Sequence, residues 1–96
     1  MNKMVRVHLL FHGRVQGVGF RLFAQQEATN RQVVGWVRNV GDTQVEAEAE
    51  GTPASIQALL DATRQGPELA RVDQCDVQWI PILETEHSYK ILESVR

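Results

Sequence analysis

The chain has 96 residues and a formal net charge of −2, from 10 Lys and Arg against 12 Asp and Glu. That balance supplies none of the basic field that nucleic acid or an anionic membrane surface requires, so neither is an expected partner. With 43% hydrophobic residues and no low-complexity tract, residues 1–96 read as one domain, large enough to bury roughly 60 to 65% of its unfolded surface. Met1-Asn2-Lys3-Met4 leads directly into a strand whose apolar stretch is broken by Arg6 and His8. No segment approaches ~18 continuous apolar residues, and a cytoplasmic monomer is expected. The single cysteine, Cys75, sits in an alternating strand pattern and reads as a small core residue rather than a nucleophile. No Cys or His cluster has metal-ligand spacing, so no metal and no cofactor are expected.

Val5, Val7, Leu9 and Phe11 alternate with Arg6, His8, Leu10 and His12, which marks a first strand with one buried face. From Phe20 to about Arg31 the period becomes helical, with Phe20, Phe23, Ala24 and Ala28 on one side. Val33 to Val40 reads as a second strand. A turn at Gly41-Asp42-Thr43 returns the chain into a third, where Val45, Ala47 and Ala49 alternate with Glu46, Glu48 and Glu50. Thr52-Pro53 is an N-cap followed by proline at the first helical position; Ile56, Leu59, Leu60 and Thr63 form the inner stripe of that helix, and Gly66-Pro67 stops it. Val72 to Pro81 is a fourth strand, placed at an edge because proline has no donor for a central ladder. Ser88 to Leu92 is a short fifth. This order defines an α+β fold, the ferredoxin-like split βαβ sandwich: an antiparallel sheet with two helices on one face. The first and third strands are central neighbours and the second lies beside the third.

Between the first strand and the first helix runs Gly13-Arg14-Val15-Gln16-Gly17-Val18-Gly19-Phe20-Arg21. Glycines let backbone N–H groups converge on anionic oxygens, and the positive end of the following helix reinforces the attraction. Arg21, in the first helical turn, carries a planar fork that grips two oxygens at once. The run fails two nucleotide templates. A Walker loop ends in Gly-Lys-Ser/Thr where this chain has Gly19-Phe20-Arg21, and a dinucleotide fingerprint from Gly17 needs a small residue where Leu22 stands. On these residues alone, a phosphate-sized anion pocket and a plain strand-to-helix turn both remain open.

A second run, Gly35-Trp36-Val37-Arg38-Asn39, follows. Together the two runs resemble the signature of the acylphosphatase family, and the likeness continues through Val45-Glu46-Ala47-Glu48-Ala49-Glu50-Gly51, through Gly66-Pro67 and through Ala70-Arg71-Val72 in the family's order. The resemblance implies a small hydrolase that splits the carboxyl-phosphate bond of acyl phosphates without metal or cofactor, using Arg21 and Asn39. Inorganic phosphate or sulfate would then compete for the loop formed by Val15, Gln16, Gly17, Val18, Gly19 and Phe20.

Roles follow from what each group can do. Arg21 binds two phosphoryl oxygens while the loop N–H groups share the charge. A carboxamide is no general base at ordinary pH, but Asn39 accepts a hydrogen bond from water and donates to a phosphate oxygen, which aligns the water with the bond to be broken. The two are 18 positions apart in sequence, so the fold must bring them to one end of the sheet. Arg14 points into or out of the pocket, and the sequence leaves this open.

Other residues read structurally. His8 and His12 share a strand face about 13 Å apart, too far to chelate one ion; with His87 they read as surface histidines. Glu46, Glu48 and Glu50 form an acidic stripe on the outer sheet face, opposite Arg6, His8 and His12, while Trp36 and Trp79 read as packing groups. The chain departs from the family pattern at Gln32, where a helix-ending glycine is common, at Thr43 in the hairpin turn, and in its ending Tyr89-Lys90-Ile91-Leu92-Glu93-Ser94-Val95-Arg96. The first two put local turn geometry in question. A second function class is a non-catalytic or weakly catalytic module that keeps the anion loop for regulation. Single-stranded RNA binding fits less well, because the first and third strands lack an exposed aromatic pair.

Overall fold

The computed structural model describes residues 3–82 and 86–96. Its elements are β1 (Val5–Arg14), α1 (Phe20–Asn30), β2 (Val34–Val40), β3 (Gln44–Gly51), α2 (Pro53–Gln65), β4 (Arg71–Ile80) and β5 (Tyr89–Ile91). They form a five-stranded sheet in the order β4-β1-β3-β2-β5, so β1 and β3 are central and β4 lies at an edge, ending just before Pro81. The first four strands pair antiparallel. The fully antiparallel expectation is corrected at β5, which runs parallel to β2 from Gly35↔Tyr89 to Val37↔Ile91. Its direction follows from the path of the chain. β4 ends at the end of the sheet where β2 begins, so a strand that starts from that end and runs beside β2 is parallel to it.

The alternation puts Val7, Leu9, Phe11, Val37, Val45, Ala47 and Ala49 on the face covered by the helices, where they meet Phe20, Ala24, Ala28, Ile56, Leu59 and Leu60. Alanine at positions 47 and 49 in the central strand lets α2 pack close over it. Cys75 packs at the margin of this core, and burial pushes its thiol pKa up against the opposing pull of Arg64, which suits a packing group and not a nucleophile.

The other sheet face is covered by side chains instead of helices. Buried Arg6 donates to Glu48 at 2.8 Å, Glu50 at 3.0 Å and Glu86 at 2.7 Å. Burial by itself lowers the Arg6 pKa, but the three carboxylates raise it well above its ordinary value. Glu46 meets His8 at 2.7 Å and Arg38 at 2.8 Å, and Arg38 lies 4.9 Å over the Trp36 ring. For Glu46, burial acts to raise the pKa and is outweighed by the hydrogen bonds from His8 and Arg38, which hold it below the usual carboxylate range. The acidic stripe is therefore paired across strands with Arg6, His8 and Arg38, while His12, expected opposite it as well, meets Asp76 of β4 at 2.8 Å instead.

β1 extends further than expected, through Arg14, because a bulge after His12 lets it keep pairing with β4. Gly13 occupies that bulge at φ +132°, and a Cβ there would collide with the carbonyl of Arg71. Gly13 thus serves the strand and not the anion loop.

At the other end of α1, Val33 N–H donates to the Ala28 carbonyl at 2.9 Å and Gln32 N–H to that of Thr29 at 3.1 Å. This is a Schellman closure, which needs a left-handed residue at its C′ position. Gln32 fills it at φ +60°, the one non-glycine residue with positive φ among those described. The turn thus keeps the glycine geometry without the glycine, at a cost of about 1–2 kcal/mol. Part of that is recovered because Gly costs more entropy to order. Gln32→Gly is expected to stabilise the protein by about 0.5–1 kcal/mol, raising the thermal midpoint by about 2–6 °C; a scanning-calorimetry midpoint that stays put or falls would contradict it.

Candidate active site

The loop from Val15 to Gly19 is fixed by which of its residues turn inward. Val15, Val18 and Phe20 are buried, and the Phe20 ring sits 4.9 Å from that of Phe11 on β1. Gly17 and Gly19 alternate with them on the outside at φ +72° and +78°, where an added Cβ would meet nothing within 4 Å. Dihedral angle and not crowding requires glycine at both.

Gln16 supplies the polar anchor. Its Nε2 lies 3.3 Å from the carbonyl of Val40, 3.0 Å from that of Gly41 and 2.9 Å from that of Gln44. Two amide protons are shared among three acceptors, and all three acceptors belong to the β2–β3 hairpin. One side chain thereby ties the loop to the end of β2 that carries Asn39.

The loop delivers the chain into α1 with Gly19 as N-cap in the left-handed conformation and no side-chain cap. The first N–H groups of a helix have no intrahelical partners, and α1 has no acidic residue in its first turn to attract them. The contrast with α2 is direct: there Thr52 Oγ1 accepts from Ser55 N–H at 3.2 Å and proline stands at the helix start. One helix N-terminus is closed and the other left open to an anion. Beside it, the half-buried Arg21 forms no ion pair among the described residues. A depression of about 230 Å³ opens here, lined by Val15, Gly17 and Gly19 of the loop, by Phe20, Arg21 and Leu22 of α1, and by Ile91 of β5.

Asn39 lies on β2 opposite Val45, which itself pairs with Phe11. The strand register therefore brings Asn39 to the end of the sheet from which the loop departs, as the topology predicted. It is not among the residues lining the depression, and Gln16 is the connection between the two. The Oδ1 of Asn39 is buried and accepts no hydrogen bond from the described protein. Buried acceptors are rarely left so. The Asn39 backbone is held on its outer side, where Val95 N–H donates to its carbonyl at 3.0 Å, and Gly41 N–H donates to the Val95 carbonyl at 2.8 Å. The ending that departs from the family pattern thus continues β5 along β2 as far as Val40↔Val95.

Arg14 is exposed at the end of β1, paired with Arg71, and does not line the depression. Leu22 and Ile91 do line it, and neither stands out in the residue pattern. Leu22 falls off the inner stripe of α1, and Ile91 reaches the depression only through the parallel pairing of β5. Among the described residues, no three His, Cys, Asp or Glu side chains gather as a metal site, and no helix is long and apolar enough to cross a membrane.

Comparison with known proteins places this geometry in a family. The acylphosphatase family profile matches residues 7–91. The acylphosphatase of Thermococcus kodakarensis is 52% identical over 77 residues, covering 80% of this chain and 85% of that one. That of Geobacillus thermodenitrificans is 42% identical over 89 residues, covering 93% and 95%. The crystal structure of acylphosphatase from Bacillus subtilis superposes with a TM-score of 0.88 at 38% identity, covering 92% of this chain and 98% of that one. The chain belongs to the acylphosphatase family and is a hydrolase of that family.

The Gln16 anchor is testable apart from any assay. Gln16→Leu leaves three hairpin carbonyls without their donor and is expected to cost about 1–2 kcal/mol in urea unfolding. It should also weaken inorganic phosphate binding at the loop, measured by titration calorimetry; unchanged phosphate affinity would show that the loop holds its shape without the tie.

Proposed function

We propose that the protein hydrolyses acyl phosphates to a carboxylate and inorganic phosphate by direct in-line attack of water, with Arg21 and the loop N–H groups from Val15 to Phe20 holding the phosphoryl group and Asn39 orienting the water. The observation that carries the reading is the uncapped N-terminus of α1 beside an Arg21 with no acidic partner among the described residues. Backbone donors without a side-chain cap, beside a guanidinium, match an anion with several acceptor oxygens. Inorganic phosphate and sulfate are expected as competitive ligands for the same donors.

Asn39 favours an enzyme over a module that only binds the anion. Its buried Oδ1 has no donor among the described residues, and a water molecule supplies one. The carboxamide then holds that water by accepting its proton in a hydrogen bond while the amide nitrogen donates to a phosphoryl oxygen. As the water oxygen bonds to phosphorus, the bond from phosphorus to the acyl oxygen breaks and the carboxylate leaves with the electron pair; the water's proton passes to the phosphate product or to solvent. A carboxylate is a weakly basic leaving group and needs no proton, so a loose transition state with little activation of the nucleophile suffices. The charge spread over the equatorial oxygens is met by donors already in place.

Arg21→Lys keeps the charge and loses the fork, and is expected to lower kcat/KM for acetyl phosphate about 100-fold or more. Asn39→Ala is expected to lower kcat by a similar factor while the inhibition constant for inorganic phosphate changes by less than about threefold, since the anion donors remain. Collapse of phosphate affinity with turnover preserved would exchange the two roles.

Attack at phosphorus also fixes the fate of the oxygen. Neither run offers a Ser or Cys nucleophile or a hole for a carbonyl oxyanion, so hydrolysis in ¹⁸O-labelled water should put the label into inorganic phosphate. Label in the carboxylate, read by mass spectrometry, would mean attack at the carbonyl and would overturn the assignment.

A further inference from the structure

The depression has two unlike sides. Gly17, Gly19 and Arg21 present backbone donors and a cation, while Val15, Phe20, Leu22 and Ile91 present hydrocarbon. Val15 and Phe20 are buried and form its floor. Leu22 and Ile91 are 53% and 39% exposed, and they come from α1 and β5, elements far apart in the sequence. Single exposed apolar residues on a surface need no explanation. Two from distant segments that converge on one concavity beside an anion site are a different matter. Leu22 immediately follows Arg21, so the fork and the apolar side chain leave the helix one position apart. Ile91 is carried to the rim by the parallel pairing of β5 with β2.

An acyl phosphate has the same two-sided character: a charged phosphoryl group at one end and an acyl group of variable polarity at the other. With the phosphoryl group held by the loop and Arg21, the acyl group must leave in a direction that the lining decides. Among the described residues that line it, Arg21 alone is charged, and it is committed to the phosphoryl oxygens. A second carboxylate on the substrate would lie against Leu22 and Ile91 with no cation to receive it and would lose hydration without return. A volume of about 230 Å³, below the roughly 300–1,000 Å³ typical of pockets for drug-sized ligands, fits a small acyl phosphate.

We propose that Leu22 and Ile91 form the wall against which the acyl group of the substrate packs, and that this wall selects acyl phosphates with an aromatic or branched aliphatic acyl group over those carrying a second carboxylate. The inference rests on the hydrolase reading above and adds a substrate class to it.

Three probes separate the two levels: acetyl phosphate, benzoyl phosphate and succinyl phosphate. Turnover of acetyl phosphate tests the hydrolase reading alone, since its methyl group makes little use of the wall. The selectivity is expected as a lower KM for benzoyl phosphate and a higher one for succinyl phosphate. Leu22→Ser and Ile91→Ser should each reduce the benzoyl-to-acetyl ratio of kcat/KM about 5- to 10-fold, chiefly through KM, whereas Leu22→Met should keep it. Leu22→Lys supplies the missing cation on an exposed position that tolerates it, and should raise kcat/KM for succinyl phosphate relative to benzoyl phosphate by at least about 10-fold. An enzyme that turns over acetyl phosphate but whose ratios are unmoved by all of these substitutions would overturn the acyl wall and leave the hydrolase reading standing.

Discussion

Every α-helix begins with N–H groups that its own hydrogen-bond pattern cannot use. In α2 a threonine and a proline remove the difficulty. In α1 the sequence leaves it in place, with glycine at the cap, no carboxylate in the first turn and an arginine at the second helical position. Such an end tolerates exposure only if the turn feeding it is rigid, because a mobile loop would fold its own carbonyls onto the free donors. The burial of Val15, Val18 and Phe20 and the triple attachment of Gln16 provide that rigidity. The cost of holding the donors apart is met by the core, so their positions are fixed by the fold itself.

The sheet solves a related problem on its open face. Two helices cover one side only, so the other must be finished by side chains long enough to shield the backbone and polar enough to meet water. Arg6 does this at the centre with three carboxylates, and the His8, Glu46 and Arg38 group continues it toward Trp36. Removing one partner from the buried Arg6 group would strand charge, whereas the more exposed pairs contribute little each. The division leaves the helical side, with its small alanines in β3, free to be shaped around the loop.

Much of this was legible from residue pattern. The period-two runs in β1 and β3 and the helical stripe of α2 gave elements, faces and order, because burial imposes those periods directly. The glycine run and Gly35-Trp36-Val37-Arg38-Asn39 carried the family resemblance and the candidate residues. What the pattern did not carry was anything decided by pairing between distant segments. The bulge that assigns Gly13 to the strand depends on the carbonyl of Arg71. The direction of β5 depends on where β4 stops. Gln16 as a tie, and Leu22 and Ile91 as neighbours, are invisible until the hairpin and β5 are in place. Gln32 was flagged as a departure, and the Schellman bonds explain why its left-handed geometry survives the missing glycine.

The continuation of the chain alongside β2 has a consequence for how copies of the protein meet in a crowded solution. Without it, β2 would be a long free edge, and Val34 to Val40 would offer another molecule a row of unpaired amides flanked by valine and tryptophan. With Ser88, Leu92 and Val95 bonded to Gly35, Val37, Asn39 and Gly41, that row is taken, and the new edge is a strand of three residues. The opposite edge, β4, is longer but carries Arg71, Asp73 and Asp76 along its exposed length and stops at a proline. Short edges and charged edges are the features that keep sheets from adding to one another, and this sheet carries one of each: β2 is shielded by occupation and β4 by charge.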